Sequence, residues 1–562
     1  MKRYIKTIGL LILSLVAFSA CQVGFVPEGV KEQKPLKNFQ EVKWLRESLY
    51  STLRGAESPG NLFLGDMQAD LYNLTASDGN TYFPFYSWNE ANLRTNDMIA
   101  TYFGSFSTII KDANYFIMRV NEMKENEELM KTLNERNKKS LDTYIAEART
   151  LRALAHYRLM CRFSKRYSDN DGQEPGIILM KEYDPLLEKT SKKRATQKEV
   201  YEWCLNELEE ASENIPTKQE YLDSEDNLLR QDGIPCYLIK DYCYAVRARI
   251  FLEMHRYQDA IKEVDRFITN YPLGESTPAG LKKLWITEDS PEIMIKTYAA
   301  NLGKIGAVGG ILHGLFPYSE TDPDTGDETW ATASSPTWFP NQYLIDLYDK
   351  STDGDPANAI QDIRRTVWFE TTGTMPGVFY YKAYGAKVKI VTKFRGNPRL
   401  DADSTMHRFS FAHSTHLFDI AEAWLIKAEA EAWSGDWTAA KTTLETFRAS
   451  RNLTSSLNAT NQQQMMETVK NERTRELIGM GTRLTDLKRW GDPMDRENKP
   501  VQDGLTKGKA ATTITPYLNL NVKPDDLKKD NGKESERPGY MFYWEFPLQD
   551  CFANPELEHN WK

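Results

Sequence analysis

The chain is poor in the groups from which most catalytic and metal centres are made. Cysteine occurs 6 times and histidine 7 times in 562 residues, with no CxxC pair, which excludes a zinc framework and a disulfide scaffold. GxSxG, HExxH and a phosphate-binding glycine loop are also missing, so nucleophile-elbow, zinc-protease and nucleotide-site chemistry have no motif to rest on. Positive charge is short as well: the formal net charge is -9, and a chain that acidic should not seek phosphate backbones or nucleic acid. The longest notable apolar run, Ile8 to Ala17, is too short to span a bilayer. What is present is an ordinary core-forming composition, 40% hydrophobic and 12% aromatic. Length alone would suggest three or four domains at roughly 150 residues each, but helical repeats make one extended domain at least as fitting.

The first residues read as an export signal. Lys2, Arg3 and Lys6 form a basic start, Ile8 to Ala17 an apolar middle, and Phe18-Ser19-Ala20 leads to Cys21. A cysteine after small residues at such a point is where bacterial lipoproteins are cleaved and acylated, typically with palmitate-like chains; the plainer alternative is a cleaved signal with an incidental cysteine. Removing residues 1–20 takes away Lys2, Arg3 and Lys6 and moves the net charge from -9 to -12. Acyl chains on Cys21 would tether the rest to a membrane without a spanning helix, at ~0.8 kcal/mol per buried CH₂. For the other cysteines, a local bridge between Cys236 and Cys243 competes with the blander reading of buried free thiols.

Helical hairpins dominate the middle and end. From Phe418 onward, Ala421, Leu425, Ala428 and Ala432 recur at helical spacing, Gly435-Asp436 makes a turn, and Trp437, Ala440, Leu444 and Phe447 restart the stripe. Ala248, Tyr257, Ala260, Val264 and Phe267 match Ala428, Trp437, Ala440, Leu444 and Phe447 at a constant offset of 180 residues. Small residue, aromatic after the turn, then alanine and a bulky stripe describes a tetratricopeptide-like pair. Amphipathic helices are predicted over 94–123, 141–163 and 199–215, the last stopped by Pro216. In the stretch from Lys470 to Pro493, Val469, Leu477, Met480, Leu484, Leu487 and Trp490 hold an apolar stripe. The charges Glu472, Arg473, Glu476, Arg483, Asp486 and Arg489 sit between.

Those last residues resemble the SusD/RagB family, whose late helices carry an alanine-rich hairpin followed by an ER..EL..EG.R..DL.RW signature. The matches are Glu472-Arg473, Glu476-Leu477, Gly481, Arg483, Asp486-Leu487 and Arg489-Trp490, with Met480 where the signature has glutamate. The segments Ala146–Leu159 and Phe546–Trp561 resemble the family's early EAR..RA helix and its C-terminal segment. The resemblance implies a mainly α fold: a tetratricopeptide-like scaffold with helical hairpins within 94–270 and 416–491 and a loop-rich insertion over 271–415. It implies one domain, 21–562, after a signal at 1–20. It also implies a lipoprotein of the outer membrane, facing outward, that is not an enzyme. Such a protein binds an oligosaccharide or other large nutrient and hands it to a SusC-type TonB-dependent barrel. The rival readings are a structural lid subunit that never touches ligand and a lipoprotein glycosidase, though no Asp/Glu pair is marked as flanking one bond.

Ligand residues are expected in the segments that interrupt the helices. Residues 59–96 hold Asp78-Gly79-Asn80 beside Tyr82, Phe83, Phe85, Tyr86 and Trp88, and the insertion holds Trp285, Tyr298, Phe316, Tyr318, Trp330 and Trp338. Sugar rings have apolar CH faces for flat aromatics and hydroxyls for polar rims. On this reading Tyr82, Trp88, Tyr318, Trp330 and Trp338 stack while Asp78 and Asn80 hydrogen-bond, although most aromatics in any fold pack inward. Asp322 and Asp324 belong to an acidic turn that has the oxygens for a structural Ca²⁺ but lacks EF-hand spacing, so a solvated turn is the default and no cofactor is expected. His413 and His416 lack a third ligand and are expected at the surface or as caps.

Overall fold

Short polar side chains set where the helices begin. In the computed structural model, residues 35–561 are described apart from 75–80, 168–169, 185–191, 225–229, 300–314, 322–324, 327, 335–336, 350–360, 372–377, 381–387, 401–411, 503–519 and 525–538. Helix α1 (Phe39–Ala56) starts at Asn38, whose side chain accepts the Glu41 amide, and α2 (Pro59–Gln68) has Pro59 in its first turn. The main stack is α3 (Asp97–Glu125), α4 (Glu135–Phe163), α5 (Gln197–Ser212), α6 (Lys240–Glu253), α7 (Tyr257–Asp265), α8 (Ile420–Trp433), α9 (Trp437–Ala449), α10 (Gln462–Glu476) and α11 (Arg483–Trp490). Asn96, Asn134, Asp436 and Asn461 cap four of these, and Thr196 with Glu199 forms a reciprocal capping box at α5. Consecutive helices pack on one another from α3 to α9, with α10 against α8. The fold is mainly α.

The 180-residue repeat is structural. Ala248, Ala260, Val264 and Phe267 are buried, and so are Ala428, Ala440, Leu444 and Phe447. The turns correspond too: His255 and Gly435, 180 positions apart, both take left-handed backbone, with φ of 58° and 99°. Helix α7 packs on α8, so the two hairpins stack directly although the whole insertion separates them in sequence.

Short strands organise that insertion. Among them are β2 (Ile293–Lys296), β3 (Leu315–Thr321), β4 (Glu328–Ser334), β5 (Trp338–Pro340), β6 (Val378–Tyr380) and β7 (His416–Asp419), with β1 (Tyr72–Leu74) lying earlier in the chain; Phe369–Thr371 and Lys389–Val391 form a further antiparallel pair. Antiparallel β2 and β7 bring the ends of the insertion together. Strands β3, β4 and β6 form one sheet, antiparallel and then parallel, in which Tyr318 opposes Ala331 and Trp330 opposes Ser319. Strand β1 pairs antiparallel with β5. Runs of three to seven residues give too little alternation to read as strands in advance.

The signature charges are not on a solvated face. Glu472 and Arg448 are fully buried and lie 2.7 Å apart, with Arg475 at 2.6 Å and Arg364 of the insertion at 2.6 Å. Glu476 and Glu292 share Arg451, at 2.7 and 2.8 Å. Arg489 holds Glu429, Glu253 and Asp486, at 2.9, 2.8 and 2.9 Å, and Arg483 reaches back to Asp70, at 2.8 Å. The network ties the segment just after α2 to α6, α8, α9, α10, α11 and the insertion. Burial opposes ionisation of Glu472, but Arg364, Arg475 and Arg448 outweigh it and hold its carboxyl far below the usual range.

Of the two cysteine readings, buried free thiols is the one found: Cys236 and Cys243 are separate and buried, and the Cys243 sulfur sits 3.5 Å from the Thr150 hydroxyl. The histidine expectation is corrected. His413 and His416 are buried and lie off any helix. His413 bonds the Ser414 carbonyl, and His416 stacks on Trp285 at 4.5 Å while its Nδ1 lies 3.0 Å from Asp419.

Candidate functional site

Residues 81–88 and the insertion meet. Pairing of β1 with β5 sets Tyr72 opposite Pro340 and Leu74 opposite Trp338, so the aromatic cluster after β1 is brought onto the insertion. Asn341 completes the join: its Nδ2 donates to the Asp70 carbonyl at 2.6 Å and its backbone N–H to the Leu71 carbonyl at 2.9 Å. The cluster folds as a short helix, Phe83–Ser87, with Pro84 in its first turn and Trp88 in left-handed backbone at its end. That one-turn geometry divides the aromatics. Phe85 turns inward against Trp544, ring centroids 6.0 Å apart, and Tyr86 meets Trp338 edge-on at 5.7 Å. The Arg496 guanidinium lies 3.9 Å from the Tyr86 ring and donates to the Ala69 carbonyl. Tyr82 and Phe83 are half-buried, and Tyr82 touches Trp338 edge-on at 6.4 Å.

The indole of Trp88 is therefore not a stacking surface. Trp88 is 4% exposed, its Nε1 donates to the Gln68 carbonyl at 2.7 Å, and its ring meets Phe542 at 5.2 Å. Trp338 is 0% exposed beneath Tyr82 and Tyr86. Both belong to the foundation of the loop, because an indole next to a two-strand join covers more apolar surface inward than outward. Tyr318 and Trp330 lie on β3 and β4 one register step apart. Asp78, Asn80, Asp322, Asp324 and Cys21 fall outside the described residues. Of the other insertion aromatics, Tyr298 is exposed and Trp285 is buried. Arg496, Asn341 and Asp70 carry the site's frame and no sequence signal points to them: each acts through a backbone group or partner hundreds of positions away.

Among the described residues, one set of potential metal-ligating groups converges: Glu545, Cys551 and His559. Glu545 is already committed, accepting the Phe546, Asn560 and Trp561 amides at 2.9, 2.9 and 3.0 Å and Arg94 at 3.1 Å. Burial pushes the Cys551 thiol up to about 11. This cluster fastens the C-terminal segment and is a poor metal centre. No helix among the described residues is long and apolar enough to cross a membrane.

Comparison with known proteins gives the decisive observation. Residues 390–561 match the family model described as "SusD family", and residues 32–225 match the one described as "Starch-binding associating with outer membrane". The chain belongs to the SusD family. Solved structures share its fold. A SusD superfamily protein from Bacteroides vulgatus is 18% identical with a TM-score of 0.66, over 93% of this chain and 99% of that one. One from Bacteroides thetaiotaomicron is 16% identical with a TM-score of 0.67, over 93% and 99%. A SusD-like carbohydrate-binding protein from Bacteroides vulgatus is 17% identical with a TM-score of 0.64, over 93% and 98%. Among curated proteins none matches the sequence. The SusD-matched regions contain α1 to α5 with the Tyr82 segment, and α8 to α11; of the ion network, Glu253, Glu292 and Arg364 lie between them. Strands β2 to β6 lie in the unmatched middle.

Proposed function

We propose that this SusD-family protein captures oligosaccharide at the outer membrane and passes it, chemically unchanged, to a SusC-type TonB-dependent barrel. The observation that carries the reading is the β1–β5 join, which gathers the Tyr82 segment and the insertion into one loop-built face on a rigid helical frame. The family's description as starch-binding at the outer membrane supplies the ligand class. Tyr82, Tyr318 and Trp330 act as the stacking rings, and Asp78 and Asn80 as the polar rim. Acyl chains on Cys21 hold the body at the outer surface, and the protein works as a lid, by rigid-body opening over the barrel. Shallow stacking gives modest affinity, and enclosure between two proteins raises occupancy.

Isothermal titration of the Tyr82→Ala, Trp330→Ala double variant tests the site. A loss of about tenfold or more in glycan affinity, ~1.4 kcal/mol, is the expected result, and unchanged affinity removes these residues from the site. A second reading, a lid subunit that never touches ligand, is favoured by the burial of Trp88 and Trp338. It requires the wild-type chain to join the barrel yet give no heat with any glycan. Release of new reducing ends on prolonged incubation would instead make the protein a glycosidase.

A further inference from the structure

A small pocket of about 70 Å³ lies where α2, α4, α6, α8, α10 and α11 converge, walled on its partly exposed side by Leu62, Met480 and Thr482. Five guanidinium groups line it, Arg158, Arg162, Arg249, Arg473 and Arg489, against three carboxylates, Glu253, Glu422 and Asp486. Four of the arginines are held by carboxylates. Arg158 is bidentate on Glu57 at 2.7 Å, and Arg249 on Glu422 at 2.8 and 2.6 Å. Arg473 reaches Asp486 at 2.9 Å, and Arg489 reaches Glu429 and Glu253. Among the described residues no carboxylate makes an ion-pair contact with Arg162, and Asp66 acts on it only at longer range. Its Nη2 donates to the Gly481 carbonyl at 2.7 Å, while Asp66 spends its oxygens on the Gly481 and Arg483 amides.

Three buried donors around this pocket, Nη1 of Arg162, Arg249 and Arg473, have no acceptor among the described residues. Leaving such a donor unmade is costly, more so for a charged group, and the three belong to residues that line one pocket. The wall residue Met480 stands where the related signature has a carboxylate, and it can supply none. We propose that the pocket binds one small monovalent anion of halide size, which takes hydrogen bonds from these guanidinium groups. Two waters, at ~30 Å³ each, would also fill the volume but bring no charge.

The test uses the intact mature chain, with bromide as probe. Crystals grown in sodium bromide should show an anomalous peak in contact with the arginine Nη1 atoms. The Tm should be higher in sodium chloride or bromide than in sodium gluconate of equal ionic strength, by about 1 °C or more. Met480→Glu should abolish the peak and the halide dependence, whereas Met480→Leu should keep both. Water alone in the pocket with no anomalous signal, or halide stabilisation that persists in Met480→Glu, overturns the proposal. If Met480→Glu fails to fold, the wild-type anomalous map decides by itself.

Discussion

Single residues here carry more charge work than their positions suggest. Glu472 sits fully buried among Arg364, Arg448 and Arg475, so removing its charge takes a buried anion from three guanidinium groups, of which Arg364 keeps Asp362 and Glu476; Glu472→Gln should cost ~3–5 kcal/mol in urea unfolding. Its depressed carboxyl contributes stability present above the ordinary carboxylate pKa and lost as acid protonates it. Asp66 and His156 act in the opposite senses over one window. Burial pushes Asp66 up to about 6, against the pull of the Arg483 and Gly481 amides, so the folded chain holds the extra proton and stability falls as pH rises from about 4 to about 6. Burial pulls His156 down to about 4, with its Nδ1 on the Arg152 carbonyl at 2.8 Å and its Nε2 accepting the Met180 amide at 3.2 Å. There the unfolded chain holds the extra proton, and stability rises with pH between about 4 and 6.5. Each contributes up to ~3 kcal/mol, and the two nearly cancel. Urea melts across this range should therefore steepen upward with pH in Asp66→Asn and turn downward in His156→Gln. The buried indoles are separable from the half-buried Tyr82 in the same way: Trp88→Ala or Trp338→Ala should lose ~3–5 kcal/mol of stability, while Tyr82→Ala should lose affinity and cost clearly less stability than either.

At the scale of elements, two glycines with positive φ differ in what surrounds them. Gly435, in the α8–α9 turn, has nothing within 4 Å of where a Cβ would stand, whereas a Cβ on Gly481 would lie 2.0 Å from the Leu62 carbonyl oxygen. Gly435→Ala should therefore cost ~1 kcal/mol of backbone strain. Gly481→Ala should cost several-fold more, because α2 and α11 must separate; equal losses in denaturant melts would contradict this. The α8–α9 hairpin and its α6–α7 counterpart were legible because small residues at the helix contact and bulky ones behind the turn are local requirements of packing two helices. The fastening of α10 and α11 was only half legible. A charge every three or four positions reads the same whether it meets water or a buried partner, and Asp70, Glu253, Glu292 and Arg364 come from four distant segments. The join of β1 to β5 left no local trace at all, since three-residue strands are specified by register across the chain. For that reason Trp88 and Trp338, alike in sequence to any loop aromatic, were expected on the outside.

For the molecule as a whole, helices α1 to α5 and α8 to α11 and the Tyr82 segment belong to SusD-matched regions, while strands β2 to β6 fall between them. Strand β5 of that middle pairs with β1 of a matched region. A rigid frame held by buried ion pairs, with its aromatic loops at one join, suits retention of a ligand better than turnover of one. The most direct measurement is equilibrium binding of the mature wild-type chain to a panel of oligosaccharides, with recovery of the bound sugar afterwards. The proposed function predicts saturable binding, with Kd between about 1 μM and 1 mM, to at least one glycan class, and a ligand recovered at its original length. No binding across the panel, or a ligand returned shortened, would contradict it.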